Sequence, residues 1–200
     1  MNSEMAFQIA FWWLLGLMVL MHLWFVFRVR QAGDRLMPDK AAIKREGWSV
    51  VFIGIFGKLL LVALIVLVPL HRVNLQRFAF PLPFWLRWVG LALGLASLGL
   101  WTWTHVALGR FWSVPLQLRA DHRLVTSGPY SRVRHPMYAA ALGWVVSLGL
   151  VVANWVPLIF AAWVAILVLM RVPREEQMMV ERFGDEYREY MKRTGRFFPL

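Results

Sequence analysis

Apolar residues in this chain come in stretches about twenty long, divided by short charged segments, and few folds accommodate that pattern. At 1.5 Å per residue, a helix of ~20 residues crosses a hydrocarbon core of ~30 Å. Five spans are predicted, over residues 6–27, 48–70, 84–108, 136–152 and 155–170. Only Ala153 and Asn154 separate the last two, which predicts a tight antiparallel hairpin. The expected fold is therefore all-α: a polytopic membrane protein of five transmembrane helices with a cytoplasmic C-terminal helix. Residues 1–200 read as one integral-membrane domain, three N-terminal spans over 1–108 and a polar-rich half over 109–200. Sixty per cent hydrophobic residues and twelve tryptophans leave no room for a separate soluble domain. The first run is longer than a signal-peptide core and has no basic flank before it, so it is expected to be retained.

The formal charge of +11 suggests nucleic acid until its distribution is examined. Eighteen Lys and Arg fall in segments 28–47, 109–135 and 171–200, against three (Arg72, Arg77 and Arg87) on the other side. Such a bias places the basic side in the cytoplasm, with the N-terminus outside. A basic belt against anionic headgroups explains the charge, and no nucleic-acid recognition motif accompanies it. With no cysteine, thiolate catalysis, disulfides and cysteine metal sites are excluded. No His or acid cluster has metal-ligand spacing.

Two polar constellations adjoin the spans. The first is Arg134-His135-Pro136. Proline suits a first helical position, where its missing N–H costs nothing. His135 then caps the fourth span beside free backbone donors, and with Arg132 and Arg134 it suits a carboxylate or phosphate. A positive-inside cluster with a proline start explains the same residues more simply. Against that stands the Gly128-Pro129-Tyr130 turn, which fixes the approach of the loop. The second is Glu175-Glu176 after Pro173. Proline is expected to kink or restart the helix there, leaving both acids in the first turn of a C-terminal helix over 173–190, with Gly184 marking a bend. One acid facing inward would bind a cation or ribose hydroxyls; capping explains the other. Arg171 shares a face with Glu175 only if the helix runs on unbroken. Lys58, near the middle of the second span, is an intramembrane charge and thus a candidate. Residues 28–48 are expected to form a short interfacial helix.

Taken in order, Leu124-Val-Thr-Ser-Gly-Pro-Tyr130, Arg134-His-Pro-Met-Tyr138, Glu175-Glu176 and Phe183-Gly-Asp-Glu-Tyr-Arg-Glu-Tyr190 resemble integral-membrane methyltransferases of the isoprenylcysteine carboxyl methyltransferase type. Phospholipid methyltransferases are more distant relatives. The resemblance covers roughly residues 105–198, half the chain, and departs at Ala139-Ala140, where the family often has a glycine. It implies an S-adenosylmethionine site at the cytoplasmic mouth, lined by Arg134, His135, Pro136, Tyr138, Glu175 and Glu176. Leu124, Val125, Gly128 and Tyr130 would shape its adenosine end, and Arg171 would hold the substrate beside Glu175.

The chemistry is consistent with that implication. The cofactor offers a carboxylate to a basic cap and a ribose diol and ammonium to acidic oxygens. Methyl transfer needs alignment and exclusion of water, not an enzyme nucleophile. An ionised carboxylate acceptor needs only a cation such as Arg171; an amine needs a base such as Glu175. The expected activity is methylation of an amphipathic, lipid-soluble or lipid-modified acceptor in a bacterial inner membrane, first as carboxyl O-methylation, second as headgroup N-methylation. Rival readings are an NADPH-dependent sterol-type reductase, with Arg110, Arg119, Arg123 and Arg132 for the extra phosphate, and a scaffold that binds membrane lipids.

Overall fold

The computed structural model describes residues 3–31, 47, 51–52, 54–57, 59, 62, 75–109 and 123–200, and its elements there are helices. They are α1 (Ser3–Gln31), α2 (Phe84–Leu108), α3 (Pro136–Val152), α4 (Trp155–Phe183) and α5 (Asp185–Arg193), with 3-10 turns at Leu75–Phe78 and Gly128–Ser131. The described positions between 51 and 62 are helical too. Helices α1, α2 and α4 are long and apolar enough to cross a membrane; α3 is apolar but has only 17 residues. The predicted segments 84–108 and 136–152 match α2 and α3, and the predicted segments 6–27 and 155–170 fall within the longer α1 and α4. Most of the second span, Lys58, Arg72, Arg110, Arg119 and most of the expected interfacial helix lie outside the described residues.

Helix α3 sits at the centre, packed along its length by α2 and flanked by α1 and α4. Small residues bring α2 and α3 close. A Cβ placed on Gly90 would lie 2.6 Å from Leu150 Cβ, and one on Gly143 would lie 2.6 Å from Ser97 Oγ. Close approach of backbones at small residues is how helices associate where lipid removes the hydrophobic drive. Leu14, Leu15 and Met18 of α1 pack with Leu98, Trp144, Leu148 and Val151, and the Trp144 indole donates to the Leu14 carbonyl at 3.3 Å.

Arg87, which the charge count placed on the outer side, is buried. Its guanidinium donates to the Val151 carbonyl at 2.9 Å and to Glu4 at 2.5 Å, and lies 4.1 Å from the centre of the Phe7 ring. It thus ties together one end each of α1, α2 and α3. The polar constellations gather at the other end of the bundle, where α3 begins.

Helix α3 stops at Ala153, left-handed at φ 48°, and the Asn154 N–H donates to the Gly149 carbonyl. The Asn154 side chain then accepts from Val156 N at 2.9 Å, which caps α4. Asn154→Ala is expected to cost about 1 kcal/mol, the usual worth of such a cap, measurable as a lowered Tm in detergent.

One expectation fails. Pro173 neither ends nor restarts a helix: α4 runs through it to Phe183. Proline forfeits the bond to the Leu169 carbonyl, but the buried stripe Val168, Val172, Glu176 keeps facing the bundle across it, and packing overrides the local penalty. The break falls instead at Gly184, at φ 56°, as the expected bend there implied. The apolar part of α4 ends at Met170. Six charged side chains follow within residues 171–183, too many for hydrocarbon, so this length of α4 projects beyond it.

Candidate functional site

The segment entering α3 is held from both sides. Gly128, at φ 60°, opens a 3-10 turn that buries Pro129 and Tyr130. A Cβ on Gly128 would meet the Trp103 indole at 3.2 Å and Ala107 at 3.5 Å, so the turn rests on the end of α2. Leu124 and Val125 lie half-buried in the stretch leading into it. From the other side comes the chain's last stretch. Gly195 N donates to the Arg132 carbonyl at 3.1 Å, Arg134 N to the Gly195 carbonyl at 2.8 Å, and His135 N to the Arg196 carbonyl at 2.9 Å. Val133 and Gly195 form a parallel bridge.

This pairing corrects one reading of the helix mouth. Pro136 occupies the first position of α3 and His135 its cap, as expected. The Arg134 and His135 amides are not free for an anion, however, because carbonyls of the tail occupy them. Tyr138 N and Ala139 N bond the His135 carbonyl, in the manner of any first turn.

Arg134 is likewise committed. Its Nε donates to Glu176 Oε1 at 3.0 Å and its Nη1 to the Met191 carbonyl at 3.0 Å and to the Thr194 carbonyl. Thr194 Oγ donates to the Tyr190 carbonyl at 2.6 Å, and the Tyr190 hydroxyl reaches the Tyr130 carbonyl at 2.6 Å. Tyr130 therefore joins the cluster through its backbone, while its ring packs inside. Burial raises the phenols of Tyr130, Tyr187 and Tyr190, the last to about 12 although Arg134 and Arg193 pull it down.

The two acids have separate roles. Both lie deep within α4, so the expected position in a helix's first turn, with its favourable dipole, is overturned. Glu176 is 4% exposed and meets Arg134 through Oε1 and Arg196 through Oε2, the latter at 3.0 Å from Nε and 2.6 Å from Nη2. Burial alone would raise its carboxyl. The surrounding His135, Arg196 and Arg134 side chains outweigh that and hold it well below the usual carboxylate range. Glu175, about 100° further round the helix, accepts from the Tyr138 hydroxyl at 2.8 Å. Because α4 is unbroken, Arg171 stands one turn before Glu175 on the same face, half-buried.

His135 completes the arrangement. Its ring is 5% exposed, stacked near Tyr138 with centroids 5.7 Å apart. Nε2 lies 3.4 Å from Glu176 Oε1, without the alignment of a hydrogen bond, and has no other bonded partner. A buried ring nitrogen in that state is costly unless a ligand answers it. Glu175 and Tyr138 supply acidic and hydroxyl oxygens nearby, and Arg171 a cation one turn away. That is a donor set for a small zwitterion, with no protein nucleophile among it.

The structure thus brings Arg134, His135, Tyr138, Glu175 and Glu176 together, with Pro136 at the helix start. Gly128 faces the end of α2. Arg196 and Thr194 went unread in the sequence; Tyr190 was read as the end of the Phe183–Tyr190 motif, with no role in holding the loop before α3. Arg196 pairs with an acid twenty residues back, and no periodicity reveals such a pairing.

Residues 88–181 match the isoprenylcysteine carboxyl methyltransferase family. A nickel-cobalt-cadmium resistance protein, NccN, of Alcaligenes xylosoxydans xylosoxydans is 32% identical over 113 residues, covering 56% of this chain and 52% of that protein. The cobalt-zinc-cadmium resistance protein CzcN of Cupriavidus metallidurans is 33% identical over 116 residues, covering 56% and 54%. The protein-S-isoprenylcysteine O-methyltransferase of Schizosaccharomyces pombe is 34% identical over 114 residues, covering 54% and 48%. The chain spans about half the length of the curated relatives it matches. Its fold is similar to part of a solved eukaryotic intramembrane Ras methyltransferase, isoprenylcysteine carboxyl methyltransferase, with a TM-score of 0.54 at 20% identity over 75% of this chain and 52% of the other.

Proposed function

We propose that this integral-membrane, isoprenylcysteine carboxyl methyltransferase-like chain transfers a methyl group from S-adenosylmethionine to a carboxylate on a lipid-soluble acceptor. The observation that carries the reading is the meeting of the His135 cap with the Glu175–Glu176 pair. They lie some forty residues apart in sequence, yet Tyr138 bonds Glu175 and Arg134 bonds Glu176. The unanswered His135 Nε2 and the oxygens of Glu175 and Tyr138 fit a ligand bearing both a carboxylate and hydroxyl or ammonium donors.

S-adenosylmethionine, when bound, supplies an electrophilic methyl group, so the chain need provide no nucleophile. His135 would hold its carboxylate. Glu175, steadied by Tyr138, would take its donors. Glu176, fully engaged by two guanidinium groups, would support the cap without touching ligand. The turn at Gly128 and Tyr130, with Leu124 and Val125 before it, would close the adenosine side and exclude water. Arg171 would orient the acceptor's carboxylate, already ionised at neutral pH, so that no proton need be moved. The bundle is read as five spans, with its N-terminus outside and the site at the cytoplasmic face of a bacterial inner membrane. The S. pombe relative is named for isoprenylcysteine; here the acceptor class is an amphipathic carboxylate that reaches the site from the bilayer.

Calorimetric titration of the purified protein with S-adenosylhomocysteine and, separately, NADPH tests this. Binding of the first alone is expected. Glu175→Ala and His135→Ala should each weaken it about a hundredfold or more while leaving a cooperative thermal transition, the scale of losing one or two buried charge-assisted bonds. Unchanged affinity in both variants refutes the placement. Labelled cofactor with a native lipid extract then identifies the acceptor.

A further inference from the structure

The stretch after α5 is more than a chain end. Thr194 to Phe197 run alongside residues 132–135 and supply the carbonyls that hold the Arg134 and His135 amides. The Phe197 ring lies 6.2 Å from that of His135. The one charged side chain it sends inward, Arg196, is 51% exposed yet grips a carboxylate that is almost wholly buried.

The carboxylate's two oxygens are shared unequally. Oε2 takes both Arg196 bonds, and Oε1 takes Arg134 Nε. Pinned at both ends, the carboxylate holds His135 Nε2 at 3.4 Å from Oε1, an electrostatic approach that lacks the alignment of a hydrogen bond. With Oε2 released, one rotation about the last side-chain bond of Glu176 would let it capture the imidazole.

We propose that Arg196 is a positioning residue of the site: by pinning Glu176 through Oε2 it keeps the His135 Nε2 free to receive the ligand. This rests on the proposed cofactor site at His135. It predicts that the tail's backbone secures the loop while its arginine sets the availability of the histidine, two separable tasks.

The test uses the full chain in detergent, as wild type, Arg196→Gln and Arg196→Lys. Nitrogen-15 spectra of labelled histidine, without ligand, should show the His135 Nε2 resonance displaced in Arg196→Gln and largely restored in Arg196→Lys, which returns the charge without the fork. Affinity for S-adenosylhomocysteine should fall roughly tenfold in Arg196→Gln, the scale of one charge-assisted bond, and recover in the lysine variant. Hydrogen exchange at the Arg134 and His135 amides should stay slow in all three. An unmoved His135 resonance overturns the proposal whatever the affinity does. Loss of amide protection in Arg196→Gln overturns it too, by making the arginine a clamp for the tail. A displaced resonance with wild-type protein that fails to bind S-adenosylhomocysteine leaves the positioning role standing and sinks the cofactor assignment instead.

Discussion

Glu176→Gln is expected to destabilise the protein by about 3–5 kcal/mol, the cost of removing one partner from a buried ion pair. The amide keeps the shape of the side chain, so little packing is lost. What changes is that Arg134, itself buried, keeps its charge with no anion beside it, and Arg196 loses its grip. His135 at the helix cap loses the same neighbour. The surface pair Arg188–Asp185 provides the control. Both partners are largely exposed at 2.7 Å, so Asp185→Asn should change stability by less than ~1 kcal/mol. Chemical denaturation in mild detergent compares the two directly. A Glu176→Gln loss no larger than that of Asp185→Asn would mean that the triad of charges contributes nothing to holding α4 against the mouth of α3.

Gly90→Val should cost about 3 kcal/mol, at the upper end for overpacking. Its added carbons would run into Leu150 Cβ at 2.6 Å and the Val151 backbone nitrogen at 3.1 Å, neither of which can move without shifting α3. Gly94→Ala is the informative comparison. Its Cβ would meet Ser147 Oγ at 2.7 Å and a Leu14 methyl at 2.9 Å, side-chain atoms rather than the helix backbone and a Cβ, though Ser147 would have to give up its 2.6 Å bond to the Trp144 carbonyl. The alanine variant should therefore lose markedly less, and a thermal transition measured on each reads the difference. Equal losses would show that α2 and α3 do not meet at the closeness given by Gly90. Because α3 carries His135 at its other end, the valine variant should also weaken S-adenosylhomocysteine binding without touching the site.

How much of this was legible beforehand differs from residue to residue. The span boundaries at Phe84, Leu108, Pro136, Val152 and Trp155 followed from hydropathy together with proline, glycine and asparagine, all local signals. His135 at the cap of α3 was readable for the same reason, since Pro136 fixes where a helix can begin. Pro173 misled because its penalty is local while the force that overrode it is not: Val168, Val172 and Glu176 face the bundle on both sides of it. The Gly90 and Gly94 pair was there to be read as small residues one turn apart. Its partner surface, Ser147 and Leu150, required α3 to be placed first.

The amino-acid order by itself determined that this is a helical membrane chain, where α2, α3 and α4 begin, and that His135 stands at the cap of α3, because hydropathy, proline and capping act within a turn or two. Only the tertiary structure decided that Glu176 is spent on Arg134 and Arg196 while Glu175 is held by Tyr138, and that the final residues close over the start of α3. Those outcomes depend on which charges can share a buried volume across forty or sixty residues of chain. That selection is made by desolvation and packing, which no short window of sequence contains.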